Sequence, residues 1–264
     1  MKEAKEIIRY DQEVLDEILI SGLEKLGLLA RENDKIAREL CMDFALYKDR
    51  LLEYNSHTNL TAITDEKEVY IKHFLDSLSA FRAMEIAKKK VELPEGASII
   101  DVGTGAGFPS LPMKIMRRDL HLTLLDSLNK RIKFLQEVCE SLELEDTLCL
   151  HQRAEEGARM EDHRESYDMA VSRAVAQLPA LLEYCIPYVK VGGYFVCLKG
   201  PAVEDEIKLS ERALKVLKSE IIEVVDVEIP HSELSHKVVI IRKNGKTDKA
   251  YPRKAGKPNK EPLI

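Results

Sequence analysis

Residues 101–112 read DVGTGAGFPSLP. The apolar run SIIDV (98–102) leads into them, and the helix-spaced segment LPMKIMRR (111–118) follows. A short buried strand, a glycine turn and an opening helix are the predicted order. Gly103, Gly105 and Gly107 stand on alternate positions, G-x-G-x-G. The dinucleotide fingerprint is G-x-G-x-x-G, and Pro109 in the first helical turn also departs from a pyrophosphate-binding helix start. LHLTLLD (120–126) is a second strand ending on Asp126, 19 residues beyond Gly107. A carboxylate at that strand end commonly accepts ribose hydroxyls. Backbone bare of side chains lets a ligand approach closely, and a carboxylate can stand where phosphate would. A nucleoside with an amino-acid tail meets both conditions, and S-adenosylmethionine is such a molecule. The competing reading is three glycines that only make a tight turn.

Outward from this stretch the strand–helix alternation continues. NKRIKFLQEVCESL is the helix after the second strand, DTLCLH a third strand, YDMAVSRA a fourth and GGYFVCLKG a fifth, each with a helical segment behind it. EIIEVVDVEI and HKVVIIRK close the series. Five strand–helix units predict an α/β fold: a doubly wound, mostly parallel, seven-stranded sheet with helices on both faces and its crevice at the carboxyl ends of the strands. The short link between the last two strands predicts one antiparallel edge strand. Upstream, apolar positions recur at helical spacing, with a loop over EYNSHTNLTAITDEKEV and a helix capped near Thr64 or Asp65. The predicted organisation is a helical region over 1–92, a ligand-binding domain over 93–245 and a basic arm over 246–264.

Composition narrows the function classes. Among 264 residues the net charge is −6, yet Arg242–Lys260 holds eight Lys or Arg against the single acid Asp248. A basic segment on an acidic body is the footprint of a nucleic-acid contact, and equally of a solvated tail. No apolar run approaches a membrane span, and the N-terminus lacks the apolar block of a secretory signal. Five cysteines without paired spacing give neither a disulfide framework nor a zinc knuckle. Seven histidines without carboxylate or cysteine clustering predict no metal site. A cytoplasmic, monomeric protein without a membrane partner is expected.

An ordered set of further stretches makes a resemblance specific: NLTAI (59–63), KHFLDSL (72–78), LLDSLNKRIKFL (124–135), RAE (153–155), SRAVA (172–176), LKG (198–200) and YPRKAGKPNKEPL (251–263). Together with the glycine stretch, they resemble the bacterial ribosomal RNA small-subunit methyltransferase G family, also called glucose-inhibited division protein B. The resemblance runs from about Asn55 to the C-terminus. It implies a Rossmann-like class I fold and methylation of N7 of a guanine in the 530 loop of 16S rRNA, with S-adenosylmethionine as cofactor and rRNA or the small ribosomal subunit as partner. It also implies cofactor contacts at Gly103, Gly105, Gly107, Phe108, Asp126, Ala154, Glu155 and Arg173.

The residue types suit that chemistry. Methyl transfer from a sulfonium is an in-line displacement in which alignment is the main task. Guanine N7 offers a lone pair and loses no proton, so no general base is required. After the fourth strand the chain reads SRAVAQLP, without the Asn-Pro-Pro-aromatic loop of an amino-directed enzyme, and no Pro-Cys pair offers a nucleophile. No catalytic acid, base or nucleophile is assigned, and Arg173 takes a positioning role. Candidate RNA contacts are Lys72, His73, Lys130, Arg131, Lys199, Tyr251, Arg253 and Lys254, through phosphate neutralisation and, for Tyr251, stacking on an unpaired base. Against these stand a plain polar helix face for Lys130 and Arg131, and a local pair for His73 with Asp76. The alternatives to this rRNA methyltransferase are an S-adenosylmethionine enzyme acting on another RNA, one acting on a small molecule or protein, which the basic segment disfavours, and a nicotinamide-dependent oxidoreductase, disfavoured by the glycine spacing.

Overall fold

The computed structural model describes residues 7–30, 34–173, 175–201 and 203–264. Helices α1 (Gln12–Leu26), α2 (Asp34–Thr58) and α3 (Glu66–Val69) come first, then a π-helical turn over Tyr70–Leu75 that runs directly into α4 (Asp76–Ile86). The alternating part follows: β1 (Ser98–Val102), α5 (Ser110–Met116), β2 (His121–Asp126), α6 (Asn129–Ser141), β3 (Thr147–His151), α7 (Ala154–Gly157), β4 (Tyr167–Arg173), α8 (Leu178–Cys185) and β5 (Val189–Lys199). The chain ends with α9 (Val203–Leu209), α10 (Glu211–Val216), β6 (Ser219–Glu228), β7 (Ser235–Lys243) and the single turn α11 (Lys257–Lys260). Asp65 caps α3 by accepting from the Glu68 amide, as its position before an acidic first turn predicts.

The described strands form one seven-stranded sheet in the order β3-β2-β1-β4-β5-β7-β6. β1 through β5 pair in parallel, and β7 runs antiparallel to both β5 and β6. The expected antiparallel edge strand is therefore corrected: the antiparallel strand is β7, and it lies inside the sheet, leaving β6 at the edge. The reason lies in the side chains. Val238, Val239, Ile240 and Ile241 are all fully buried and face both layers, which suits an interior strand. In β6, Glu220, Glu223, Asp226 and Glu228 interrupt the apolar positions, and charges of this kind protect an exposed edge.

Alternate strand residues feed two cores. Ile99, Leu122, Leu124, Met169, Val196 and Ile240 face one layer, and Ile100, Leu125, Ala170, Phe195, Val239 and Ile241 face the other. The first layer is made by α1, α2, the π-helical turn, α4, α5 and α6, so Leu15, Phe44, Tyr47, Tyr70 and Phe74 belong to the same core as the sheet. These N-terminal helices precede the sheet in sequence but cover its face in space. The opposite layer contains α8, α10 and the C-terminal Leu263. Residues 246–264 are likewise docked: Arg164 donates to the carbonyls of Thr247, Asp248 and Tyr251, and Leu263 is buried.

Candidate functional site

At the carboxyl ends of β1, β2, β3 and β4 lies a cavity of about 480 Å³, within the usual range for small-molecule sites. Order along the strand tips follows sheet order, from Arg173 on β4, through the glycine turn after β1 and Asp126 on β2, to Ala154 and Glu155 after β3. The turn is pinned to the next strand, since the Gly103 and Thr104 amides both donate to the Leu125 carbonyl, at 2.8 and 3.1 Å. Gly105 has φ +63°, and a Cβ built on it would meet nothing within 4 Å, so bare backbone faces the open cavity. Gly107 is different. Its φ is +100°, and a Cβ there would lie 2.4 Å from Leu111 and 2.7 Å from the Tyr47 hydroxyl. That hydroxyl donates to the Ala106 carbonyl at 2.5 Å, so an N-terminal helix holds the turn from behind.

Asp126 is buried and already engaged. Its Oδ1 accepts from the Leu128 amide at 2.8 Å, and its Oδ2 accepts from the Gly105 amide at 3.1 Å and from Arg131 at 3.0 Å. A carboxylate has about four acceptor positions, which leaves room for a hydroxyl donor. Asp101, at the foot of the turn, is fully buried and accepts from the Ser110 hydroxyl at 2.6 Å. Burial pushes its carboxyl up to about 7 against the opposing pull of Ser110. Its Oδ1 and the Thr104 hydroxyl have no hydrogen-bond partner among the described residues, although they stand close enough to influence one another.

The β4 end of the cavity is a charged and aromatic cluster. Arg173 lies over the Phe108 ring at 4.8 Å, donates to Asp76 Oδ2 at 2.7 Å and to the Lys72 carbonyl at 3.1 Å, and reaches His73 Nδ1 at 3.1 Å. His73 stacks on the other neighbour of this group, the Phe108 ring, at 4.4 Å between centroids. Because Arg173 donates to Nδ1, the ring proton sits on Nε2 and points at the Thr61 hydroxyl, 2.8 Å away. Burial first, and the Arg173 charge second, lower the His73 pKa to about 3. Asp76 also bonds His236, whose pKa is raised by that contact. Burial works to raise the Asp76 pKa, but hydrogen bonds from His236 and Arg173 outweigh it and hold the carboxyl below its ordinary value.

The other end of the cavity is closed by the C-terminal segment. Glu155, itself buried, accepts from the Gly256 amide at 2.6 Å, and Asn259 and Tyr184 line the cavity beside it. The model of the rRNA small subunit methyltransferase G family matches residues 40–235 of this chain. A ribosomal RNA small subunit methyltransferase G from Alkaliphilus metalliredigens is 48% identical over 246 residues, covering 93% of this chain and 98% of that protein. One from Alkaliphilus oremlandii is 52% identical over 217 residues, covering 82% and 88% respectively. The chain belongs to the rRNA small subunit methyltransferase G family. Among solved structures, a mutant of MtNAS superposes with a TM-score of 0.51 at 12% identity, covering 88% of this chain and 87% of that one, a likeness of fold alone.

Of the cofactor contacts that membership in the methyltransferase G family implies, Gly103, Gly105, Phe108, Asp126, Ala154, Glu155 and Arg173 line the one cavity, while Gly107 backs the turn without lining it. The residues expected to meet RNA do not gather at one place. His73 and Arg131 line the same cavity as the cofactor candidates. Lys72 pairs with Glu68, Lys199 with Glu206, and Lys130 donates to the Thr58 carbonyl. Arg253 turns inward onto the buried Glu183, and the half-buried Tyr251 accepts from Arg164 through its carbonyl. Lys254 stands exposed. Sequence reasoning assigned no role to Tyr47, which holds the glycine turn, to His236, which bonds Asp76, or to Tyr184 and Asn259, which line the cavity; only Asp76 has a visible signal, in its spacing from His73.

Proposed function

We propose that this chain transfers the methyl group of S-adenosylmethionine to N7 of a guanine in the 530 loop of 16S rRNA, acting in the cytoplasm as a monomer on 16S rRNA or the small ribosomal subunit. The observation that carries this reading is a single cavity with open glycine backbone and a strand-end carboxylate in the middle and a rigid Arg–aromatic cluster at one end. The residues fit the cofactor. Gly105 leaves room for close approach, Asp126 retains acceptor capacity for a ribose hydroxyl, and the polar residues after β3 lie where the base would follow the ribose.

When bound, S-adenosylmethionine supplies an electrophilic methyl group on a sulfonium. The chain's own task is alignment and exclusion of water. Phe108 is held between Tyr47, His73 and Arg173, so it presents a fixed apolar surface at the β4 end. The Arg173 guanidinium is fixed by Asp76, the Lys72 carbonyl and His73, which makes it a preorganised donor for orienting a guanine. Asp76 balances its charge, so a base that becomes cationic on N7 methylation does not meet an uncompensated guanidinium. No side chain needs to remove a proton, because N7 carries none.

The test is transfer of labelled methyl from S-adenosylmethionine to small subunits lacking the modification, followed by nucleoside analysis. Label in 7-methylguanosine, lost in Arg173→Ala, is expected. Label in another nucleoside would keep the cofactor and overturn the target atom. Absence of label despite cofactor binding would overturn the substrate.

A further inference from the structure

The C-terminal segment was read from sequence as a basic arm, yet its residues divide sharply by direction. Lys246, Lys249, Lys254, Lys257 and Lys260 are exposed. The segment 251–263 is nevertheless anchored to the domain at several points. Arg253 makes a bidentate pair with Glu183, whose side chain is 0% exposed, and the Arg253 amide donates to the same carboxylate at 2.7 Å. Arg159 donates to the Pro252 carbonyl, and Leu263 is buried at the far end. Between these anchors the chain passes over the mouth of the cavity beyond β3. There the Gly256 amide fixes Glu155, the Asn259 backbone faces Tyr184, and Asn259 lines the cavity. The Asn259 carboxamide has no hydrogen bond within the described residues.

Position along the strand tips says what this part of the cavity receives. Asp126 on β2 is the ribose point, and the space continues outward to the residues after β3, at the edge of the sheet. The heterocycle of a nucleoside bound at Asp126 therefore lies against Glu155, Tyr184 and Asn259. A carboxamide offers an acceptor and donors on one planar group, the pattern that matches the amino group and an adjacent ring nitrogen of adenine. Glu155, one of whose oxygens already accepts from the Gly256 amide, can only accept as a carboxylate, whereas the Asn259 carboxamide can both accept and donate.

We infer that residues 251–263 form a wall of the cofactor pocket and that Asn259 is its adenine-recognising side chain. This inference rests on the proposal that the cavity holds S-adenosylmethionine. It gives the segment a task distinct from RNA binding: the lysines face outward, and the inner surface reads the base.

The experiment is calorimetric titration of the full chain with S-adenosylhomocysteine and with S-inosylhomocysteine, in which an oxygen acceptor replaces the adenine amino group. Wild-type protein is expected to prefer the adenine compound. Asn259→Ala is expected to weaken S-adenosylhomocysteine by about tenfold, the scale of a paired base contact, and to lose most of the preference. Asn259→Asp, which retains an acceptor but no amide donor, should also weaken it, with the melting temperature of the unliganded protein unchanged in both variants. Titration of a 16S rRNA fragment should give the same affinity and salt slope for Asn259→Ala as for wild type. Unchanged affinity and unchanged base preference in both variants, with wild-type binding intact, would overturn the role of Asn259 and leave the proposed reaction standing. Failure of the wild-type chain to bind S-adenosylhomocysteine would instead overturn the cofactor assignment itself. Loss of rRNA affinity alone would return the segment to the RNA interface.

Discussion

Replacing Arg253 with alanine separates a structural role from an RNA-binding one. Glu183 is wholly buried on α8, and it accepts four hydrogen bonds from Arg253, one from the backbone amide and three from the guanidinium. Arg253→Ala removes the three side-chain bonds and the only cation in salt-bridge contact with Glu183 among the described residues. Breaking a buried pair from one side costs about 3–5 kcal/mol. The retained backbone bond argues for the lower end, so about 3 kcal/mol is expected, or a fall in melting temperature of about 6–12 °C at this chain length. Thermal unfolding followed by circular dichroism at low and at moderate salt measures it. The paired change Glu183→Gln with Arg253→Ala should recover part of the loss, because a neutral amide is cheaper to bury than an unpaired carboxylate. A melting temperature within about 1 °C of wild type, accompanied by weaker rRNA binding with a shallower salt dependence, would refute the reasoning and place this guanidinium on phosphate.

Three further outcomes are expected. Gly105→Val, at φ +63° and facing open cavity, should cost about 1–2 kcal/mol of backbone strain and abolish measurable binding of S-adenosylhomocysteine by calorimetry; intact affinity would remove the turn from the cofactor site. His73, with its pKa lowered to about 3, should contribute stability that is full above about 6.5 and lost as pH falls toward 3; its ring resonances should remain those of a neutral imidazole at pH 5, and titration near 6.5 would contradict the packing described. Asp101, raised to about 7, keeps its proton in the folded chain while the unfolded chain releases it near 3.9, so its contribution is complete below about 4 and is lost as pH rises to 7. Asp101→Asn should therefore gain in melting temperature relative to wild type between pH 5 and pH 8, and a constant difference across that range would show that Asp101 ionises normally.

What the sequence disclosed, and what it withheld, follows from the range of the interactions involved. The parallel strands were visible because residues such as Ile99, Ile100, Leu124 and Leu125 are apolar on consecutive positions, a pattern that burial on both faces imposes. The glycine turn and Asp126 were visible because their positions within one strand–turn–helix unit carry the chemistry. The place of β7 was less visible. Its apolar run announced burial, while its insertion between β5 and β6 is set by pairing that no local pattern records. Arg253 and Lys254 count equally toward a basic segment, and only Glu183, 70 residues earlier, makes one of them point inward. Helical periodicity likewise marked an apolar face on α2 without naming the sheet as its partner.

The Tyr47 contact with the glycine turn has a consequence for interpreting inherited or selected lesions in this chain. A damaging allele in codons 44–76 falls outside every segment that looks like a cofactor loop, and a genetic map would assign it to an accessory region. Yet Tyr47 bonds Ala106, Phe74 lies beside Phe108, and Asp76 holds Arg173. Such alleles should share their phenotype with lesions in residues 101–112, and the two groups should fail to show independent effects when combined, because they damage one object from opposite sides.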